Sequence, residues 1–92
     1  MVDVGTEEVT ILQVPSNVPQ RRIKEMTLSE RSGASNTLTL TVVYNTTTVK
    51  TFTITLDANE VLQLKDFLTL YAGWKLNGVA GTASIHVEVE WE

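Results

Sequence analysis

The chain has no cysteine, so neither a disulfide nor a thiolate-held metal can stabilise it. Proline occurs only at Pro15 and Pro19, which leaves everything beyond residue 19 free of that breaker. His86 is the single histidine, so any Ser-His-Asp arrangement has to be built on that one side chain. Apolar runs are short, and none approaches the roughly 20 residues that a membrane-crossing helix needs; no membrane partner is expected. Basic residues are also few, seven against eleven acidic ones, for a net charge of −4. A surface for nucleic acid needs clustered Lys and Arg. The best cluster, Arg21-Arg22 with Lys24, is short and is followed at once by Glu25, so no nucleic-acid partner is expected.

What remains is an ordinary globular composition, 42% hydrophobic and 20% charged, in 92 residues. That length makes one domain near the small end of what folds without staples, and an apolar core has to supply the stability. Residues 1–8 are acidic and unpatterned and read as an N-terminal arm, with a single domain over residues 9–92. The same segment lacks the apolar run of a secretory leader, which implies synthesis in a cytoplasm.

The most informative stretch is the last. From Thr82 to Glu92, Ala83, Ile85, Val87, Val89 and Trp91 alternate with Ser84, His86, Glu88, Glu90 and Glu92. A period of two means a strand with one buried and one wet face. Its continuation to Trp91 places that residue in the core row and His86 on the wet side. Leu38, Leu40, Val42 and Tyr44 alternate with Thr37, Thr39, Thr41 and Val43, and Phe52, Ile54 and Leu56 alternate with Thr51, Thr53 and Thr55. Joined by the short polar link Asn45–Thr48, these runs predict an antiparallel hairpin. Threonine suits its wet face, because a branched Cβ fits extended backbone while the hydroxyl stays solvated.

Val9–Val14 reads as a first strand, ended by the two prolines. Arg21–Glu30 reads as a second, in which Ile23 and Met26–Leu28 differ in parity, as a β-bulge would produce. Val61–Ala72 alternates better than it fits a helical period and reads as strand. Gly73, Gly78 and Gly81 predict a turn-rich connection before the last strand. Six to eight short strands with frequent turns describe an all-β antiparallel sandwich or a small barrel, with strand order open.

Candidate chemistry is sparse. His86 and Glu88 share a face, but two ligands do not make a metal site, and a solvated histidine is the expected reading. Glu88, Glu90 and Glu92 form an acidic stripe of the kind that keeps sheet edges from aggregating. Asp57 and Glu60 sit in a polar link that would not raise a carboxyl pKa. The serines lack a nucleophile elbow, and Gly78-Val-Ala-Gly81 lacks the Lys-Ser/Thr of a phosphate loop. No catalytic residue, metal or cofactor is expected. Aromatics provide the candidate binding residues, Trp74 and Tyr71. Both side-chain types suit a protein interface, the preferred reading, and both can also stack on a glycan.

The segment Arg22-Ile-Lys-Glu-Met-Thr-Leu-Ser-Glu-Arg-Ser-Gly-Ala-Ser-Asn-Thr-Leu-Thr-Leu-Thr-Val42 resembles the opening of small tailed-bacteriophage structural domains. In that group a strand runs into a small-residue loop and then a threonine-rich strand. Leu56–Leu64 and Phe67–Gly73 are similar to the group's next signature, and the likeness runs on to Ile85-His-Val-Glu-Val89, covering roughly residues 18–91. Trp74-Lys75 after Gly73 departs from it, since an acidic residue is common there. The resemblance implies a jelly-roll sandwich without catalytic residues, made in a host cytoplasm and used in a virion as head decoration, neck or tail protein. Its implied partners are its own copies, most simply a homotrimer that the acidic arm helps to link, and other virion proteins. The competing reading is a carbohydrate-binding sandwich using the exposed aromatics.

Overall fold

A computed structural model describes residues 2–92, and the statements below concern those residues. Eight strands follow in order: β1 (Val2–Val4), β2 (Val9–Gln13), β3 (Gln20–Glu30), β4 (Asn36–Tyr44), β5 (Thr47–Leu56), β6 (Val61–Tyr71), β7 (Trp74–Ala80) and β8 (Ile85–Trp91). They form two antiparallel four-stranded sheets, ordered β1-β8-β3-β6 and β2-β7-β4-β5. This is a jelly roll, the strand order of two interlocked Greek keys. Its pairings are nested: β4 with β5, β3 with β6, β2 with β7 and β1 with β8. The chain is thus one long hairpin that turns at Asn45–Thr46 and rolls up. Rolling adds two further pairings, β3 with β8 and β4 with β7, and these close the sheets.

The expected strands at Val9–Val14, Arg21–Glu30 and Val61–Ala72 are present with shifted ends, and the central hairpin is β4–β5. Its link is shorter than expected, two residues, with Asn45 in the left-handed region that Asn tolerates (φ 56°). The parity change in β3 is a bulge: both β6 and β8 change register between Ile23 and Glu25. It lets Ile23, Met26 and Leu28 all face inward, fully buried. Opposite it, Asp66 of β6 takes a left-handed conformation (φ 49°), which bends that edge strand.

Three expectations need correction. The segment read as an acidic arm supplies β1, whose Val2, Asp3 and Val4 pair with Val87, His86 and Ile85. Val4 is wholly buried, so the segment is part of the core; Met1 lies outside the described residues. The chain turns at Gly73 and Gly81 as expected, but the stretch between them, Trp74–Ala80, is the interior strand β7 and not a connection. Gly78 sits mid-strand under β2, where a Cβ would come within 2.8 Å of the Ile11 Cδ1. That glycine marks a close approach between neighbours, and its sequence signal resembles that of a turn. Trp91 keeps the core parity but sits at the sandwich end, 40% exposed, beyond the reach of the facing sheet.

The core is one cluster drawn from both sheets, with Leu28, Leu38, Leu40, Leu56, Leu70, Leu76, Ile85 and Val87 fully buried. The C-terminus is tied down by a reciprocal pair of backbone hydrogen bonds, both 3.1 Å, between Arg22 and Glu92. The Arg22 guanidinium bonds the Glu92 carboxylate and pairs with Asp66 across the bulge.

Because Ile85 is fully buried where β8 meets both β1 and β3, Ile85→Ala is expected to cost about 2–5 kcal/mol. That is a large share of the roughly 5–15 kcal/mol available to a domain. Urea unfolding checks it, and a loss under about 1 kcal/mol would contradict the packing described.

Candidate functional site

The two ends of the sandwich differ in chemistry. At one end the links following β1, β3, β5 and β7 close over buried polar groups. Glu30, 2% exposed, ends β3, and its carboxylate accepts from the Ser32 N–H (2.7 Å), the Ser32 hydroxyl (2.8 Å) and the Gly33 N–H (2.9 Å). Gly33 has φ 83°, a left-handed conformation that glycine adopts without strain and that turns the loop back toward β4. Nearby, the buried Asn36 donates to the Ala83 carbonyl (2.7 Å) and accepts from the Thr37 and Thr82 amides. The Glu30 contacts order their own loop, and those of Asn36 with Ala83 and Thr82 tie it to the β7–β8 link. Within the link after β5, Glu60 accepts from the Asp57 N–H at 2.8 Å and closes its own turn.

The opposite end gathers all four Tyr and Trp residues of the chain. Tyr71 ends β6, Trp74 begins β7, and the Ala72–Gly73 turn between them folds their rings together. Their centroids lie 5.0 Å apart with planes 80° to each other, a favourable edge-to-face contact. Tyr44 ends β4 directly across from Trp74. Gly73, at φ 82°, leaves room for the Tyr44 ring, which a Cβ there would meet at 3.3 Å. The link bracketed by the two prolines braces this turn: Ala72 and Gly73 donate to the carbonyls of Pro19 (3.1 Å) and Val14 (3.0 Å). On the other sheet Arg21 lays its guanidinium 4.6 Å from the centre of the Trp91 ring.

The expected binding residues Tyr71 and Trp74 are therefore in contact, on a turn held rigid from below. Tyr71 is 48% exposed, whereas Trp74 is half-buried and packs against the core. Tyr44 and Trp91, each about as exposed as Tyr71, join them at this end although sequence parity assigned both to the core. The signal that would have found them is positional: each ends a strand, where the facing sheet has run out.

The outer face of the β1-β8-β3-β6 sheet carries the acidic stripe of β8 and Glu25 of β3. Glu25, Thr27, Gln63, Glu88, Val89 and Glu90 line an open cleft of about 270 Å³. His86 lies on the same face but is not solvated as expected. It is 7% exposed, with Nδ1 2.9 Å from an Asp3 carboxylate oxygen and Nε2 3.4 Å from Glu88. The pairing of β1 against β8 brings Asp3 beside it, and that pairing is invisible where residues 1–8 are read as an arm. Among the described residues no group of three or more His, Cys, Asp or Glu side chains is placed to hold a metal ion.

Glu30 carries a pH dependence. Burial pushes its carboxyl pKa up, but the hydrogen bonds from Ser32 and the Gly33 amide outweigh burial and bring it below the ordinary 4.5. A carboxyl whose folded pKa is depressed adds stability that is complete above the unfolded value and lost as pH falls through the folded one. Between about pH 5 and 3, wild type should therefore lose more thermal stability than Glu30→Gln. Parallel melting curves for the two across that range would contradict this role. Comparison with protein-family models, with curated proteins and with solved structures finds no match.

Proposed function

We propose that this chain is a non-enzymatic structural protein that works by assembling with its own copies and by docking other proteins at its aromatic end. The observation that carries this reading is the braced cluster of Tyr44, Tyr71 and Trp74, with the Arg21–Trp91 stack at the same end of the sandwich. Large amphipathic rings on a rigid frame bury much area at little entropic cost, which is why Tyr and Trp dominate protein contact surfaces. The resemblance of residues 18–91 to tailed-phage structural domains supplies the setting, a virion in which the protein decorates or joins shell or tail components. Jelly rolls are frequent in capsid proteins, which agrees with that setting at the level of fold-based analogy.

One observation favours a second reading. Tyr71 and Trp74 present perpendicular rings, one of them half-exposed, and such a corner can stack on a sugar ring. Lectin domains share the jelly-roll architecture as well.

Light scattering across a dilution series separates the two. The assembly reading predicts a stable mass above that of the monomer. A monomer persisting at high concentration, with glycan-array binding lost in folded Tyr71→Ala, would replace it with the sugar reading. That substitution costs the fold about 1 kcal/mol for the edge-to-face contact with Trp74, in addition to the area the half-exposed ring still covers, so its folding is checked alongside.

A further inference from the structure

The sandwich has four edge strands, and they are not equally protected. Strands β1 and β2 are short, three and five residues, and short edges offer little to pair with. Strand β6 is long, but Asp66 breaks its line with a left-handed residue, and Lys65-Asp66 places two charges at its middle. Both devices discourage a second strand from adding there. Strand β5 has neither at its centre. From Lys50 to Leu56 it pairs residue for residue with β4 and carries one charge, Lys50, at the end of the run. Its outer rim offers unpaired N–H and C=O groups over about 24 Å, seven residues at about 3.4 Å each.

We propose that this edge is a self-association surface, on which β5 of a second copy adds antiparallel about a two-fold axis at Thr53. The proposal rests on the assembly reading above and names the contact between copies. The sequence Thr51-Phe-Thr-Ile-Thr55 is self-complementary in this register. Thr53 meets itself, Thr51 meets Thr55 on the outer face, and Phe52 meets Ile54 on the inner face. Phe52 and Ile54 are half-buried in the monomer, on the open seam between the sheets where the Phe52 ring lies 5.0 Å from that of Phe67. The second copy would cover this seam.

Charge agrees with the register. Lys50, now folded over the Phe52 ring at 5.1 Å, would fall beside the Asp57–Glu60 turn of the second copy, so each cation meets carboxylates and no like charges oppose each other. Main-chain pairing supplies the affinity and the apolar pair fixes the alignment, as in other strand-addition contacts. Such an isologous contact builds a dimer or an even-numbered assembly.

Two substitutions on the exposed, outward-facing Thr53 test it. The chain has no other cysteine, and directly opposed residues place their Cβ atoms about 4.5–5.5 Å apart, near disulfide reach. Thr53→Cys should therefore oxidise to a covalent dimer in high yield, with Thr51→Cys alone giving little. Thr53→Lys sets two ammonium groups against each other at the axis and should raise the dimer dissociation constant at least tenfold. A trimer, or any oligomer that Thr53→Lys leaves unchanged and Thr53→Cys does not cross-link, overturns the edge contact while leaving the assembly reading standing. A wild-type monomer at all concentrations, with no cross-link, overturns both. If Thr53→Lys fails to fold, the cross-linking result decides alone.

Discussion

Everything in this structure depends on the insertion of β8 between β1 and β3. A nested hairpin ladder alone would leave two faces of apolar side chains open to water. The β3–β8 and β4–β7 pairings roll that ladder into two sheets and turn those faces toward each other. Because β8 occupies an interior position, Ile85 and Val87 are buried against residues from both halves of the chain. The first strand has β8 as its one strand partner, through the Val2–Val4 ladder, and Asp3 of β1 contacts His86 of β8. Nearly all of this pairing is distant in sequence, so its loop-closure cost is met only when the whole roll forms.

Once the roll is closed, a division of labour follows. The loops built around Glu30 and Asn36 satisfy their buried polar groups internally, so those groups have little left to offer a partner. The aromatic end and the β5 edge are different. There the strand ends and the unpaired rim leave ring faces and backbone groups that the chain itself does not cover. Function, on this account, sits where the monomer's own interactions run out. The same logic explains why the outer acidic face is a weaker candidate: its Arg22 and Lys24 already balance part of the charge.

Much of the sandwich is legible in residue alternation. Leu38–Val42 and Phe52–Leu56 declare the hairpin because one face is buried and the other wet, and the clash of parity between Ile23 and Met26 declares the bulge. What alternation cannot convey is which strands meet. Asp3 and His86 are 83 residues apart, and nothing local says that one covers the other. Gly78 misleads for a related reason, since a glycine that admits a neighbouring strand looks the same as one that makes a turn. Tyr71 and Trp74 were identifiable as binding candidates from residue type, whereas Tyr44 and Trp91 were not. Their inward parity holds, but the opposite sheet stops short of them.

The account can be tested most directly by hydrogen exchange resolved to single amides in dilute solution. Although it ends the chain, β8 should show the slowest exchange together with β3, released only by global unfolding, while outward-pointing amides of β5 exchange freely. If β8 instead opens locally well before β3, the closure of the roll is not what holds this molecule together.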